Sequence, residues 1–319
     1  MRTFFKILSV AFVVMICIVH SHAISSEQAE IYYQYLRVQG YPIVCLNEQG
    51  EQVPMLLYKG TNYIPIRTTG EWMGKTVSWN GKTNTISLSG SIDPTYHTKS
   101  AKKSYNYDEH FDKIDITLAP QIVVLVDGKI QNFYDANGSV VYPLISHGTT
   151  YLPLRSIGKL TGMEIAWRQT FYSTGGAQLM YLRTPLTSDQ KAECESYLSG
   201  LEKRLSFFEY ILYHDIQDVL RDSPEQVSVE YWKTTLPRLR QAFNAIKDYA
   251  PPTVPLLEYG YQEMCVTSQL YDSELDLATQ ALEQGDLNQV SNMCFASGVS
   301  LGDNVAYMQN VYYQPNTKN

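Results

Sequence analysis

Very little in this chain is suited to holding a metal or breaking a bond. It has six histidines in 319 residues, and only His97, His110, His147 and His214 lie beyond residue 23. No CxxC pair occurs, and Cys45, Cys194, Cys265 and Cys294 are spaced too widely for a zinc framework. The HExxH helix, the serine nucleophile elbow and the glycine loop that cradles phosphate are all missing. Positive charge is short as well: 25 Lys and Arg stand against 32 Asp and Glu, a net charge of −7. That balance excludes a long-range attraction for nucleic acid or for an anionic membrane face. After the first segment no apolar run approaches the eighteen residues of a membrane span.

The first segment is the exception. In "MRTFFKILSVAFVVMICIVHSHA", Arg2 and Lys6 form a basic start, Ile7 to Val19 is apolar, and Ser21-His22-Ala23 supplies small residues at the cleavage-reading positions. Residues 1–23 are therefore expected to be a secretory signal peptide, with a retained N-terminal anchor as the alternative. Ile16 before Cys17 is too bulky for a lipoprotein cleavage site. The expected product is a secreted or envelope-associated protein, not an integral membrane protein once the signal is cleaved.

What is present in quantity is internal repetition and tyrosine, of which there are 25. Residues 60–79 read "GTNYIPIRTTGEWMGKTVSW", and residues 148–167 read "GTTYLPLRSIGKLTGMEIAW". Aligned without a gap, eight of twenty positions are identical, Tyr63/Tyr151, Arg67/Arg155 and Trp79/Trp167 among them. Each copy follows a lead-in of short apolar runs broken by turn residues, Asn-Glu-Gln-Gly in the first and Asp-Gly in the second. The shared unit predicts a turn at the leading glycine, a strand that ends near the proline, a short helix capped by Gly162 or its counterpart, and returning strands. Residues 30–90 and 114–184 are thus two tandem modules, each a small antiparallel sheet with one helix. Residues 91–113 form a polar linker between them. About sixty residues is marginal for an independent core, which favours packing of the copies on each other.

After Pro185 the periodicity changes to threes and fours, as in Cys194, Leu198, Leu201, Leu205, Phe208 and Leu212. Four such segments, separated by "DSPEQ", "APPTVP" and "QGD", predict an antiparallel four-helix bundle over residues 186–319. Gly285 should stop the third helix and Asp286 cap the fourth. Pro237 implies a kink or a later start for the second. On such a bundle Cys265 and Cys294 fall too far apart for a disulfide, so free thiols are expected. The fold class is therefore α+β: two small sheet-plus-helix modules followed by an all-α bundle.

The pattern Gly-x-x-Tyr-aliphatic-Pro-aliphatic-Arg, then a helix ending near glycine, then aliphatic-x-Trp, resembles the copper amine oxidase N-terminal-like domain, or stalk domain, of exported bacterial proteins. The resemblance covers roughly residues 40–90 and 114–184, and the second copy departs from it after Trp167, where "RQTFYSTGGAQLMYL" is longer than the usual hairpin. It implies no catalysis, because the oxidase chemistry resides in a separate domain. Asn106-Tyr107-Asp108 approximates the quinone-forming context, but Glu109 stands where tyrosine is required. No cofactor is expected.

Within the repeats, Arg67 and Arg155 stand at a strand-to-helix junction, where a guanidinium can fork onto a carboxylate ligand or tie down carbonyl groups of its own loop. Trp79 and Trp167 each follow an aliphatic residue two positions before, which predicts a buried face and core packing in preference to sugar stacking. Tyr96, Tyr105, Tyr107, Tyr134 and Tyr172 are the candidates for a ligand surface. His97 and His110, with Asp108, Glu109 and Asp112, could meet a metal, though such loops are more often solvated; no metal site is expected. His214 and Asp218 fall on one helix face as a surface pair. The expectation is an exported, non-catalytic scaffold or binding protein of the bacterial cell envelope, with a cell-wall polymer or an envelope protein as partner. Its rivals are a helical region that docks a partner through a tyrosine-lined groove, and a metal-dependent enzyme.

Overall fold

The computed structural model describes residues 27–32, 34–91, 101–105, 113–172 and 175–312. The signal segment and the histidines of the linker, with Asp108, Glu109 and Asp112, lie outside the described residues. The described chain is mixed α+β, with several small sheets and a C-terminal helical region. It divides into two compact units. One comprises the described residues within 27–32, 45–91 and 101–157; the other comprises those within 34–44 and 158–312.

The first unit is centred on a closed six-stranded barrel. Its members are β1 (Glu27–Tyr32), β4 (Met55–Tyr58), β5 (Thr61–Pro65), β8 (Lys113–Leu118), β13 (Leu144–Ser146) and β14 (Thr149–Pro153), in the order β1-β4-β5-β14-β13-β8. The tight connections β4–β5 and β13–β14 are made by Lys59-Gly60 and His147-Gly148. All four residues have positive φ (47° and 74°, 45° and 76°), the left-handed pair that suits a two-residue hairpin. The leading glycine of the repeat is there for this turn.

The two copies meet through β5 and β14, where Tyr151 pairs with Pro65, Leu152 with Ile64, and Pro153 with Tyr63. The register is reciprocal: Ile64 and Leu152, equivalent in the repeat, face each other directly. Tyr63 and Tyr151 are both about 1% exposed, in one apolar cluster with Leu56, Leu144, Ala29 and Ile116. Strands of both copies thus share one closed sheet, and the core that sixty residues could not supply alone is pooled.

Apart from β11 (Phe133–Tyr134) and β12 (Val140–Val141), which pair with each other, the remaining strands follow the same reciprocity. In the first unit, β6 (Thr76–Asn80) and β7 (Thr85–Ser89) form the closing hairpin of copy one. They are joined by β9 (Val123–Val126) and β10 (Lys129–Ile130) from the lead-in of copy two, with β7 parallel to β9. In the second unit, β15 (Glu164–Tyr172) and β16 (Gly175–Arg183) form the closing hairpin of copy two. They are joined by β2 (Gln34–Val38) and β3 (Tyr41–Ile43) from the lead-in of copy one, with β16 parallel to β2. Each hairpin therefore completes its sheet with strands borrowed from the other copy.

A short helix follows each central strand: α1 (Ile66–Trp72) and α2 (Leu154–Thr161). Gly70 of α1 lies so close to β6 that a Cβ would come within 2.4 Å of Val77, and a Cβ on Gly158 of α2 would lie 2.8 Å from Ile165. These glycines let helix and strand touch. Gly162 has φ +69°, and the following amide, Met163 N–H, donates to Gly158 O at 2.9 Å, as expected of a helix-ending cap.

The helical region of the second unit begins with α3 (Ser188–Tyr210), which opens on a capping box between Thr187 and Gln190. It passes into a π-helical segment, Ile211–Asp218, and ends as α4 (Val219–Asp222). Next come α5 (Val229–Lys247), α6 (Glu258–Gln284), α7 (Leu287–Phe295) and α8 (Gly298–Tyr312). Gly285 (φ +74°) closes α6, and the Asp286 side chain accepts from Gln289 N–H at the start of α7. Pro237 does not delay α5, which runs through it; the carbonyl it leaves without a partner belongs to Lys233, an exposed residue that water can serve. The last segment is broken between Phe295 and Gly298, where a Cβ on Gly298 would lie 2.9 Å from the Tyr271 ring.

Tyr271 is the pivot of this core. It is fully buried, with Phe208 and Phe243 edge-on at 5.6 and 5.0 Å between ring centroids, and its hydroxyl donates to Cys294 O at 2.8 Å. Cys45, Cys194, Cys265 and Cys294 are all free thiols, the first, second and fourth buried. No helix among the described residues is long and apolar enough to cross a membrane.

Candidate functional site

The polar side chains repeated in both copies are engaged mainly with backbone. Asn47 Oδ1 accepts from Gln49 N–H and Glu51 N–H, and Asp135 Oδ1 accepts from Asn137 N–H and Ser139 N–H, so both lead-in turns are closed in one manner. Each turn is then clasped by the first turn of the following helix. Thr68 Oγ1 accepts from Leu46 N–H at 3.0 Å and donates to Leu46 O at 3.4 Å. Ser156 Oγ does the same with Tyr134, at 3.2 and 3.3 Å.

Arg67 belongs to the first clasp. Its Nη1 donates to Glu48 O at 2.9 Å, and its Nε lies 3.9 Å from Glu71. Arg155, its counterpart on α2, is exposed, and no hydrogen bond or ion pair joins it to another side chain or carbonyl among the described residues. Tyr134 is partly exposed on the turn that Ser156 clasps, which puts it on the element next to Arg155. Tyr105 is half-buried, and its N–H donates to Gln52 Oε1 at 3.2 Å. Tyr172 ends β15, paired with Gly175, and its side chain lies outside the described residues, as do Tyr96 and Tyr107 entirely. Ser156, next to Arg155 in the chain, thus bonds the backbone of Tyr134, while Arg67 and Tyr105 both bond the turn of the first copy, at Glu48 O and Gln52 Oε1.

The tryptophans correct the sequence reading. Trp79 is 52% exposed and Trp167 37% exposed, whereas the neighbours that pair with them across the hairpins, Ile86 and Met180, are buried. Alternation assigned the correct strand face, but burial also needs something lying on that face. Gly70 and Gly158 seat their short helices on Val77 and Ile165, and the indoles two residues further along remain in solvent. Length of the covering helix, not strand period, decides the matter.

The helical region contributes two further features that periodicity did not reveal. Phe207 and Tyr210 are exposed on α3, with the Tyr210 ring tilted at 46° to that of His214 and the centroids 5.0 Å apart. Beside the π-helical segment lies an open cavity of about 560 Å³ lined by His214, Asp215, Tyr231, Thr234 and Arg238, among others. The Tyr231 hydroxyl donates to Asp215 O, and burial raises its pKa. At this cavity Arg238 pairs with Asp215 at 2.8 Å, and His214 Nδ1 lies 3.0 Å from Asp218 Oδ2. The π-helix gave no sequence signal; a π segment beside a cavity is where function often concentrates.

A third cluster ties the sheet of this unit to its helices. The Arg37 guanidinium lies 4.3 Å from the Tyr307 ring centroid and donates to its hydroxyl at 2.9 Å, and Tyr307 in turn donates to Gly40 O. Tyr259 stands between Tyr307 and Tyr41, with centroids 5.6 and 5.4 Å away. Burial pushes the Tyr41 hydroxyl up to about 12, with the Glu258 carboxylate adding to the shift.

Among the described residues no group of three or more His, Cys, Asp or Glu side chains is placed to hold a metal ion. The linker residues suggested for that role lie outside the described residues. No protein-family model matches the chain, and neither a curated protein nor a solved structure matches it.

Proposed function

We propose that this chain is an exported, non-catalytic binding scaffold of the bacterial cell envelope. In this reading the paired stalk-like repeats, residues 30–90 and 114–184, are the framework that meets a cell-wall polymer or envelope protein, and residues 186–319 form an antiparallel four-helix bundle joined to it. The observation that carries the reading is how the repeated polar groups are used. Asn47 and Asp135, Thr68 and Ser156, and Arg67 hold turns and helix starts. A side chain committed to a carbonyl of its own loop serves shape rather than chemistry, and repetition of the same clasp fits a framework.

The open cavity lined by His214 and the Asp215–Arg238 ion pair favours a second reading, in which the helical region docks a partner. Both are tested by co-sedimentation of the purified protein with isolated bacterial cell walls at moderate salt. Pelleting that survives Arg238→Ala and Tyr231→Ala assigns the interaction to the repeats. Pelleting lost in those variants assigns it to the helical region, and no pelleting of the unaltered protein refutes the wall-binding reading.

A further inference from the structure

We propose that the outer edge of β12 is a slot for an extended, acidic segment of a partner protein, which adds to it as a strand. The inference rests on the reading of the repeats as a binding framework and gives that framework a partner class. The first copy shows the same edge already filled. Its turn is flanked by residues 101–105 of the linker: Lys102 N–H donates to Gly50 O and Gln52 N–H donates to Lys103 O, both at 2.9 Å. The Lys102 side chain also lies 3.5 Å from where a Cβ on Gly50 would stand. In the second copy the equivalents of Gly50 and Gln52 are Gly138 and Val140. Asp135 N–H donates to Ser139 O at 2.9 Å, as Asn47 N–H does to Glu51 O, so the two turns are built alike. In an antiparallel ribbon the next pair, Tyr134 with Val140, then turns its backbone groups outwards. On the Tyr134 side Ser156 Oγ takes both of them. On the other side, among the described residues, no hydrogen bond reaches Val140 N–H or Gly138 O, and nothing lies within 4 Å of the Gly138 Cβ position.

The differences between the two turns select the occupant. In the first copy an acidic turn, with Glu48 and Glu51, takes a basic segment, Lys102-Lys103. In the second, Glu48 and Glu51 are replaced by Ala136 and Ser139, and Glu71, the ion-pair partner of Arg67, by Lys159. The carboxylate that remains in the turn, Asp135, spends Oδ1 on Asn137 N–H and Ser139 N–H. Arg67 reaches the tip of its turn at Glu48 O, whereas Arg155, at the equivalent place, is exposed and bonded to nothing among the described residues. The charge to be answered has changed sign, and a carboxylate side chain answers a guanidinium with a forked, charge-assisted bond. The rest of the slot has turned apolar. Val140, 54% exposed, stands where Gln52 does; Tyr134, 41% exposed, lies opposite it, and Tyr142, 43% exposed, follows two residues on. A strand added here bonds through its main chain and lays alternate side chains beside Val140, which gives edge addition both affinity and selectivity. The partner segment therefore carries Asp or Glu among Val, Ile, Thr or aromatic residues.

The probe is a phage-displayed library of random heptapeptides selected on the full chain, with the best binder synthesised and measured by fluorescence anisotropy. The expected binders carry Asp or Glu and lack proline, and selection on Arg155→Glu exchanges the acid for Lys or Arg. Val140→Pro removes the outward N–H at a position where an edge strand tolerates proline, and it should weaken the best binder about tenfold. Arg155→Glu, an exposed substitution, should do the same and keeps the test decisive if the proline disturbs the ribbon. Hydrogen exchange should show Val140 N–H fast in the free chain and slowed by the peptide, with Gln52 N–H slow throughout. No enrichment, or binders indifferent to both variants, overturns the inference. Light scattering tests the other occupant: a dimer that Val140→Pro dissociates overturns the partner segment in favour of a second copy of this chain. Isolated cell walls are pelleted with the chain in parallel. Peptide binding without pelleting keeps the slot and overturns the wall-binding reading, and pelleting without peptide enrichment does the reverse.

Discussion

Replacing Thr68 by valine keeps the shape of the side chain and removes only its hydroxyl. Thr68 is 3% exposed and Leu46, whose N–H it accepts and whose carbonyl it bonds, is 7% exposed. Water is therefore excluded from the amide that would lose its partner. Leaving one buried donor unsatisfied costs about 1–3 kcal/mol, and the longer return bond adds little, so the expected loss is about 2 kcal/mol. The twin substitution, Ser156→Ala, removes the matching pair of bonds to Tyr134. Tyr134 is 41% exposed, so solvent can reach its backbone, and alanine is the better helix former by up to about 0.5 kcal/mol. The expected loss there is about 1 kcal/mol or less. Guanidinium unfolding reports the overall loss, and hydrogen exchange of a peptide spanning residues 45–53 reports the clasp itself. Thr68→Val with an unchanged midpoint, or with unaltered exchange at Leu46, would refute the clasp as a stabilising device.

Three further outcomes follow from the structure. Gly40 has φ +87° and a Cβ there would lie 2.4 Å from Leu256 O, so Gly40→Ala should lower the stability of the second unit by about 2–4 kcal/mol, combining left-handed strain with overpacking; an unchanged thermal midpoint would contradict the close approach. Burial pushes the Cys45 and Cys294 thiols up to about 12 and Cys194 up to about 11, from 9.0. The folded chain then holds these protons longer than the unfolded one, so their contribution is intact below pH 9 and is lost as pH rises from 9 towards 12. Thermal midpoints should fall over that window, and at pH 8 Ellman's reagent should react first with half-buried Cys265.

The sequence made the local geometry readable and the long-range geometry opaque. Lys59-Gly60 and His147-Gly148 announce hairpins because a left-handed pair is a property of two adjacent residues. Asp286 and Gly285 bound helices for the same reason, and the spacing of Cys194, Leu198, Leu201, Leu205 and Phe208 gives the buried face of α3 directly. The parallel pairing of β7 with β9 and of β16 with β2 left no trace in either copy alone, since strand period says which way a side chain points and not which strand lies alongside. Trp79 shows the same limit at one residue: its face was legible, but the reach of the helix above it was not. The π segment is opaque for a different reason, because one extra residue per turn over Ile211–Asp218 is set by packing and not by a residue type. For the candidate site, Arg67 was legible as a junction residue, and the solvent exposure of the paired indoles was not.

The borrowing of strands between copies also sets a timetable. Gln39, at the turn after β2, bonds through its side chain to Thr184, 145 residues later in the chain. A ribosome adding about 5–20 residues per second needs roughly 7–30 s to deliver that partner. For all of that interval β2 and β3 are a hairpin without the neighbour they are shaped to fit, with an open hydrogen-bonding rim that any passing strand could occupy. The nascent first copy is therefore an incomplete object until the second emerges, and truncation after the first copy should yield an aggregating fragment, not a smaller version of the protein.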